Sequence, residues 1–170
     1  MLLVVYGLPF TGKRRFGRLL ASHLSCKFIS TSEIRNRWIA APTFRLSEKR
    51  AVYLNLLQES AEALADGKCL VLAGTFYRAE FREDLETLAS TFNEHVLWIQ
   101  LPSGNLSGSF FTSELYDVSY ARKIRNKINE RFQPMTTEQV ISLENLDTIE
   151  RALSRIDKII TNDLSGQVDI

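Results

Sequence analysis

The sequence is sparing with residues that announce specialised chemistry. In 170 residues it has two cysteines, two histidines, two methionines, two tryptophans and four prolines. Cys26 and Cys69 lie far apart and outside any C-x-x-C spacing, which argues against a disulfide scaffold and a cysteine-built zinc site. They read as reduced, buried thiols of a cytoplasmic protein. His23 and His95 have no ligand spacing with cysteines or carboxylates, so no metal is assigned to them. A formal net charge of +1 leaves no global field to recruit nucleic acid or a membrane surface. No apolar run approaches a membrane-spanning length. The opening run Leu2–Tyr6 is also too short for a signal peptide. What remains is ordinary for a globular chain: 45% hydrophobic and 24% charged residues. One domain over residues 1–161 with a frayed tail over 162–170 is the expectation.

Against this background one stretch stands out: Gly7-Leu8-Pro9-Phe10-Thr11-Gly12-Lys13-Arg14. It has the G-x-x-x-x-G-K spacing of a phosphate-binding loop. The context fits. Leu2–Tyr6 reads as a buried strand, and Phe16, Leu19, Leu20 and Leu24 recur at helical spacing after the loop. The glycines allow a tight bend that aims successive N–H groups at one anion. The helix N-terminus adds its positive dipole end, and Lys13 adds a mobile cation. Gly7, Leu8, Pro9, Phe10, Thr11, Gly12, Lys13, Arg14 and Arg15 are therefore the candidate phosphate- or nucleotide-binding residues. One position breaks the pattern. The residue after Lys13 should be Ser or Thr, whose hydroxyl holds Mg²⁺, and it is Arg14.

The rest of the chain alternates. Lys27–Ser30, Cys69–Ala73, Val96–Leu101 and Val140–Leu143 are strand candidates. Ser30 with Glu33 fits a capping box, opening a helix toward Ala41. Ser47 is placed as the cap of a longer helix whose stripe is Ala51, Leu54, Leu57, Ala61 and Leu64, ending at Gly67. A helix over 79–92 carries Phe81, Leu85, Leu88 and Ala89. Further helices are expected over 114–132 and 146–160, with a Gly/Ser-rich loop over 102–109. This alternation argues an α/β protein with a parallel sheet covered on both faces.

These residues resemble the small P-loop kinases of the predicted-kinase group, which includes polynucleotide kinase domains and, more distantly, gluconate and shikimate kinases and zeta toxins. The resemblance spans nearly the whole chain. Gly7-Leu8-Pro9 opens the loop as in that group. Thr31-Ser32-Glu33-Ile34-Arg35 is similar to its second block, an Asp followed three residues later by Arg. Val71-Leu72-Ala73-Gly74-Thr75-Phe76, with Arg82 six residues on, is similar to its V-L-D-A-T-F…R block. Phe132-Gln133-Pro134 resembles its F-E-P. The resemblance implies a three-layer P-loop kinase fold with a parallel sheet of about five strands. It also implies ATP or another nucleotide as cofactor, and a hydroxyl of a small molecule or a polynucleotide end as acceptor.

The departures fall on the chemistry. The metal-binding hydroxyl is Arg14, the second-block Asp is Ser32, and the Asp of V-L-D-A-T-F is Ala73. The region of the paired lid arginines, Pro102–Ser109, has none. Phosphoryl transfer depends on positioning and on cations around the transferring group. Mg²⁺ binding is therefore not expected in the usual form. Lys13, Glu33 and Arg35 are the remaining catalytic candidates. Glu33 is equally the capping-box partner of Ser30. Arg35 and Arg82 face either the cleft or an ion pair. Arg122, Lys123, Arg125, Lys127 and Arg131 form a solvated basic face or a substitute for the lid arginines. Phe110, Phe111, Tyr116 and Tyr120 are core or an exposed contact patch. Two functions stay open. One is a nucleotide- or phosphate-binding pseudokinase, which also admits a protein partner; the other is an active ATP-dependent kinase.

Overall fold

The computed structural model describes residues 1–102, 118–135, 140–143 and 148–166. Five parallel strands form one sheet: β1 (Leu2–Tyr6), β2 (Lys27–Ser30), β3 (Leu70–Ala73), β4 (Val96–Gln100) and β5 (Val140–Ser142). Their order is β2-β3-β1-β4-β5, so the opening strand lies at the centre. Leu2 faces Leu70 on one side and Val96 on the other. All five β1 residues are buried, as a strand with neighbours on both edges and helices on both faces requires.

Alternation along the strands divides the core. Leu2, Val4, Tyr6, Leu70, Leu72, Val96 and Trp98 pack with helices α3 (Leu46–Ala65) and α4 (Ala79–Thr91). Leu3, Val5, Val71, Ala73 and Ile99 pack on the other face with α1 (Lys13–His23) and α6 (Ile149–Gly166). The short α2 (Thr31–Trp38) follows β2, and α5 (Val118–Asn129) precedes β5. α6 continues to Gly166, past the point where the sequence suggested a tail.

Several local expectations are corrected. On α1, Phe16 and Leu20 are buried but Leu19 is 40% exposed. On α3 the buried stripe is Val52, Tyr53, Leu56, Ser60, Ala63 and Leu64, while Leu54 stands 64% exposed. This helix is apolar on more than one side, so periodicity alone does not fix which side meets the sheet. Ser60 is tolerated in the core because its hydroxyl donates to the Leu56 carbonyl at 2.7 Å. Arg45, not Ser47, is the N-cap of α3, and it supplies no side-chain cap. Glu48 instead fixes the turn that leads into the helix. Its carboxylate accepts from Thr43 N (2.6 Å), Thr43 Oγ1 (2.9 Å) and Phe44 N (3.0 Å). α2 stops at Trp38, short of Ala41.

The cysteines are the largest correction. Cys26 and Cys69 are half-buried and joined by a disulfide. They are sequence-distant but stand side by side, each immediately before its strand, because β2 and β3 are neighbours. The thiol argument for a cytoplasmic location therefore falls. No described helix is long and apolar enough to cross a membrane.

Candidate phosphate-binding site

The loop between β1 and α1 is built around one carbonyl. The Thr11 hydroxyl donates to Leu8 O at 2.9 Å, and Lys13 Nζ donates to the same oxygen. Lys13 Nζ also lies 3.4 Å from Thr11 Oγ1. The bend needs both glycines. Gly12 sits at φ 82°, in the left-handed region that side chains disfavour. Gly7 has φ 139°, and a Cβ there would come within 3.2 Å of the Leu101 carbonyl. Leu8 and Thr11 are buried, Pro9 and Phe10 half-buried, and Arg14 and Arg15 exposed.

Gly12 is the N-cap of α1 and gives it no side-chain cap, and the first turn of the helix holds no acidic residue. The first N–H groups of a helix carry a partial positive charge and need a partner. An anion suits this terminus, and Lys13 is the adjacent cation. Lys13 as a residue is half-buried, but its ammonium is folded inward. Burial lowers its pKa from the ordinary 10.5 to about 7. A neighbouring anion would favour the charged form of this lysine.

A nucleotide-bound Mg²⁺ would need a hydroxyl at position 14 and carboxylates near the ends of β2 and β3. The donor set does not fit. Arg14 projects into solvent. Ala73 is buried on the α1 side of the sheet. Ser32 has its hydroxyl 3.2 Å from Ser30 Oγ. Among the described residues no three His, Cys, Asp or Glu side chains cluster.

The other candidates are engaged with partners of their own. Ser30 caps α2 by accepting from Glu33 N at 3.2 Å, which is half of the expected capping box. The Glu33 carboxylate turns instead to Arg18 on α1, with Nε at 3.0 Å. Arg35 is held by Glu48 at 3.1 Å and lies over the Phe44 ring, 4.9 Å from its centroid. Burial pushes the Glu48 carboxyl up, but the bonds from Thr43, Phe44 and Arg35 outweigh it and leave the pKa below the usual range. Arg82 is neither in a cleft nor in an ion pair of the ordinary kind. It is buried and donates to the carbonyls of Phe76 (2.8 Å), Gln133 (3.2 Å) and Pro134 (2.7 Å). Gln133 completes this clamp: its side-chain oxygen accepts from Ala79 N at the start of α4. The F-Q-P block therefore ties the chain after α5 to the turn after β3.

Tyr53 serves the same turn. Its hydroxyl accepts from Phe76 N at 2.8 Å, and its ring stacks on Phe81 with centroids 3.9 Å apart. Burial raises its pKa, so it stays protonated. The sequence reading missed Tyr53 and Glu48. Glu48 had a signal, since an acid at the third helical position commonly reaches back over the helix start. Tyr53 had none, because its partner is a backbone group 23 residues away.

On α5, Arg122, Lys123 and Lys127 are exposed, Arg131 just beyond the helix is exposed too, and Arg125 is half-buried. His23 pairs with Asp157 of α6 at 2.8 Å. Tyr120 is 49% exposed. Phe110, Phe111, Tyr116 and all but the first residue of the Pro102–Ser109 loop lie outside the described residues.

No protein-family model matches the sequence, and no curated protein matches it by sequence. Solved structures do match in shape. The gluconokinase of Sinorhizobium meliloti aligns with a TM-score of 0.69 at 15% identity, covering 99% of this chain and 97% of that one. The APS kinase of Mycobacterium tuberculosis, solved in complex with AMPPNP and APS, gives 0.68 at 15% identity, covering 94% and 97%. The shikimate kinase of Aquifex aeolicus gives 0.61 at 12% identity, covering 98% and 99%. At these identities the likeness speaks to the fold alone. This chain has the P-loop kinase fold.

Proposed function

We propose that the protein binds a nucleotide or another phosphate at the Gly7–Lys13 loop and has weak or no phosphotransferase activity. The observation that carries this reading is a mismatch within one site. The anion-facing parts are present: the two glycines, the uncapped start of α1 and Lys13. The parts that would manage a metal ion are absent, with Arg14 exposed and Ala73 buried where a hydroxyl and a carboxylate would serve. The fold is also that of a kinase solved with AMPPNP and APS, which supports nucleotide as the ligand class. The residues at hand do not form the usual Mg²⁺ shell, so no step is assigned to the metal.

Calorimetry tests this reading. ATP and ADP should bind with affinities that change only a few-fold when Mg²⁺ is replaced by EDTA. Phosphoryl transfer to sugars, small alcohols or 5′-hydroxyl oligonucleotides should be very slow or undetectable. Mg²⁺-dependent turnover at about 1 s⁻¹ or faster, as for ordinary kinases, and lost in Lys13→Ala, would establish the active-kinase reading instead.

A further inference from the structure

We propose that Cys26 and Cys69 form a redox-reversible staple that sets the order of the segment between them: the edge strand β2 with α2 and α3. The two sulfurs are bonded, and the Cα atoms are 4.7 Å apart. Backbone hydrogen bonds flank the sulfurs, and one of them crosses between the two segments. Cys26 N donates to Ala21 O at 2.8 Å, and the Cys69 carbonyl accepts from Lys27 N at 2.9 Å. Once reduced, the thiols remain neighbours and can close again. Both residues are half-buried, so a small thiol can reach them.

The position of the bond gives it leverage. β2 has four residues and, among the described residues, pairs only with β3. A short strand at a sheet edge is among its less stable members. The segment closed by the bond holds Ser30, Ser32, Glu33, Arg35 and Glu48, with all of α2 and α3. The phosphate-binding loop lies outside it. The bond sits at the level of Leu2, which pairs with Leu70, while Gly7 follows the opposite end of β1, roughly 16 Å along the strand direction. Opening the staple should therefore loosen the β2–α3 half and spare the anion site.

The chemistry balances as thiol–disulfide exchange. A dithiol thiolate attacks one sulfur, the Cys26–Cys69 bond breaks, and the other cysteine leaves as a thiolate that takes a proton. The second thiol of the dithiol then releases the first cysteine, so two electrons pass to the protein and the reductant becomes a cyclic disulfide. A low-molecular-weight disulfide such as oxidised glutathione closes the staple by the reverse exchange.

The test uses the full chain. Under denaturing, non-reducing alkylation the untreated protein should carry no adduct, and after dithiothreitol it should carry two. Hydrogen exchange in the native state should speed up roughly tenfold or more over residues 27–65 after reduction, with little change over residues 2–6. The melting temperature should fall by roughly 5–15 °C and recover with oxidised glutathione. Sulfate binding at the loop should persist. Cys26→Ser with Cys69→Ser should reproduce the reduced protein and no longer respond to dithiothreitol. If that variant does not fold, the dithiothreitol titration of the unmodified chain decides the matter. Two adducts on the untreated protein, no exchange difference, or an increase spread evenly over the whole chain would each overturn the proposal.

Discussion

The two ends of the candidate site are built in different ways. At the β1–α1 end the phosphate loop is intact in form. The groups there that would meet an anion are backbone N–H groups, two glycines and one lysine. At the β2–β3 end the same fold presents Ser32, Ala73 and a set of arginines already committed to carboxylates or carbonyls. Backbone machinery is hard to lose, because the loop must turn there for β1 to feed α1. Metal and base chemistry is held by single side chains that the fold does not need.

The sharpest way to break this comparison is to show that the cations at the β2–β3 end still serve the site. Arg82→Ala should instead act on stability. It leaves three carbonyls without their buried donor, so chemical denaturation should show a loss of about 3 kcal/mol or more. A stable variant with altered nucleotide affinity would place Arg82 in the site.

A second prediction puts the family's side chains into the β2–β3 end. Arg14→Ser with Ser32→Asp and Ala73→Asp should make nucleotide binding depend on Mg²⁺ by at least about tenfold, near 1.4 kcal/mol. Full transfer should not return, since Pro102–Ser109 contains no arginine. If chelation still has no effect on the triple variant, these three side chains do not suffice to build a metal site here.

The third concerns Lys13. Burial lowers its pKa from 10.5 in the unfolded chain to about 7 in the fold. Between those values the unfolded chain binds the additional proton. Stability contributed through this residue therefore rises with pH across that window and stays at its lower level below about 7. An anion reverses the balance by favouring the charged lysine. Sulfate does not titrate in this range, so its binding at pH 8 should take up a proton, visible as a buffer-dependent heat in calorimetry. Affinity should weaken from pH 7 to 9. Lys13→Ala should remove the proton uptake and weaken sulfate binding about tenfold.

The smallest effect is expected at Glu33. Its pair with Arg18 is largely solvent-facing, with Arg18 62% exposed. Glu33→Gln should cost less than about 1 kcal/mol and leave sulfate binding unchanged. A large loss of activity without loss of stability would return Glu33 to a catalytic role.

The sheet and the loop were legible because each is written locally. Leu2–Tyr6 followed by G-x-x-x-x-G-K specifies strand, bend and helix within a few residues. The F-Q-P block was visible as a motif, but its role was not, because its partner Arg82 lies 51 residues away. The disulfide was illegible for the same reason: only the sheet order brings Cys26 beside Cys69. The α3 stripe was misplaced because Leu54 and Leu56 are equally apolar. Which of them meets the sheet is settled by how Tyr53 stacks on Phe81 and caps the turn at Phe76.

The central position of β1 has a kinetic consequence. Its two partners, Leu70–Ala73 and Val96–Gln100, lie far along the chain. During synthesis the apolar Leu2–Tyr6 segment must wait without a strand neighbour until Leu70–Ala73 has left the ribosome, and with one edge open until Val96–Gln100 follows. High contact order of this kind slows folding, and a short β-prone apolar segment left unpaired is a seed for intermolecular strand pairing. The strand that anchors the phosphate loop in the finished protein is thus its most exposed liability while the chain is being made, and yield should depend on chaperone supply more than on the stability of the product.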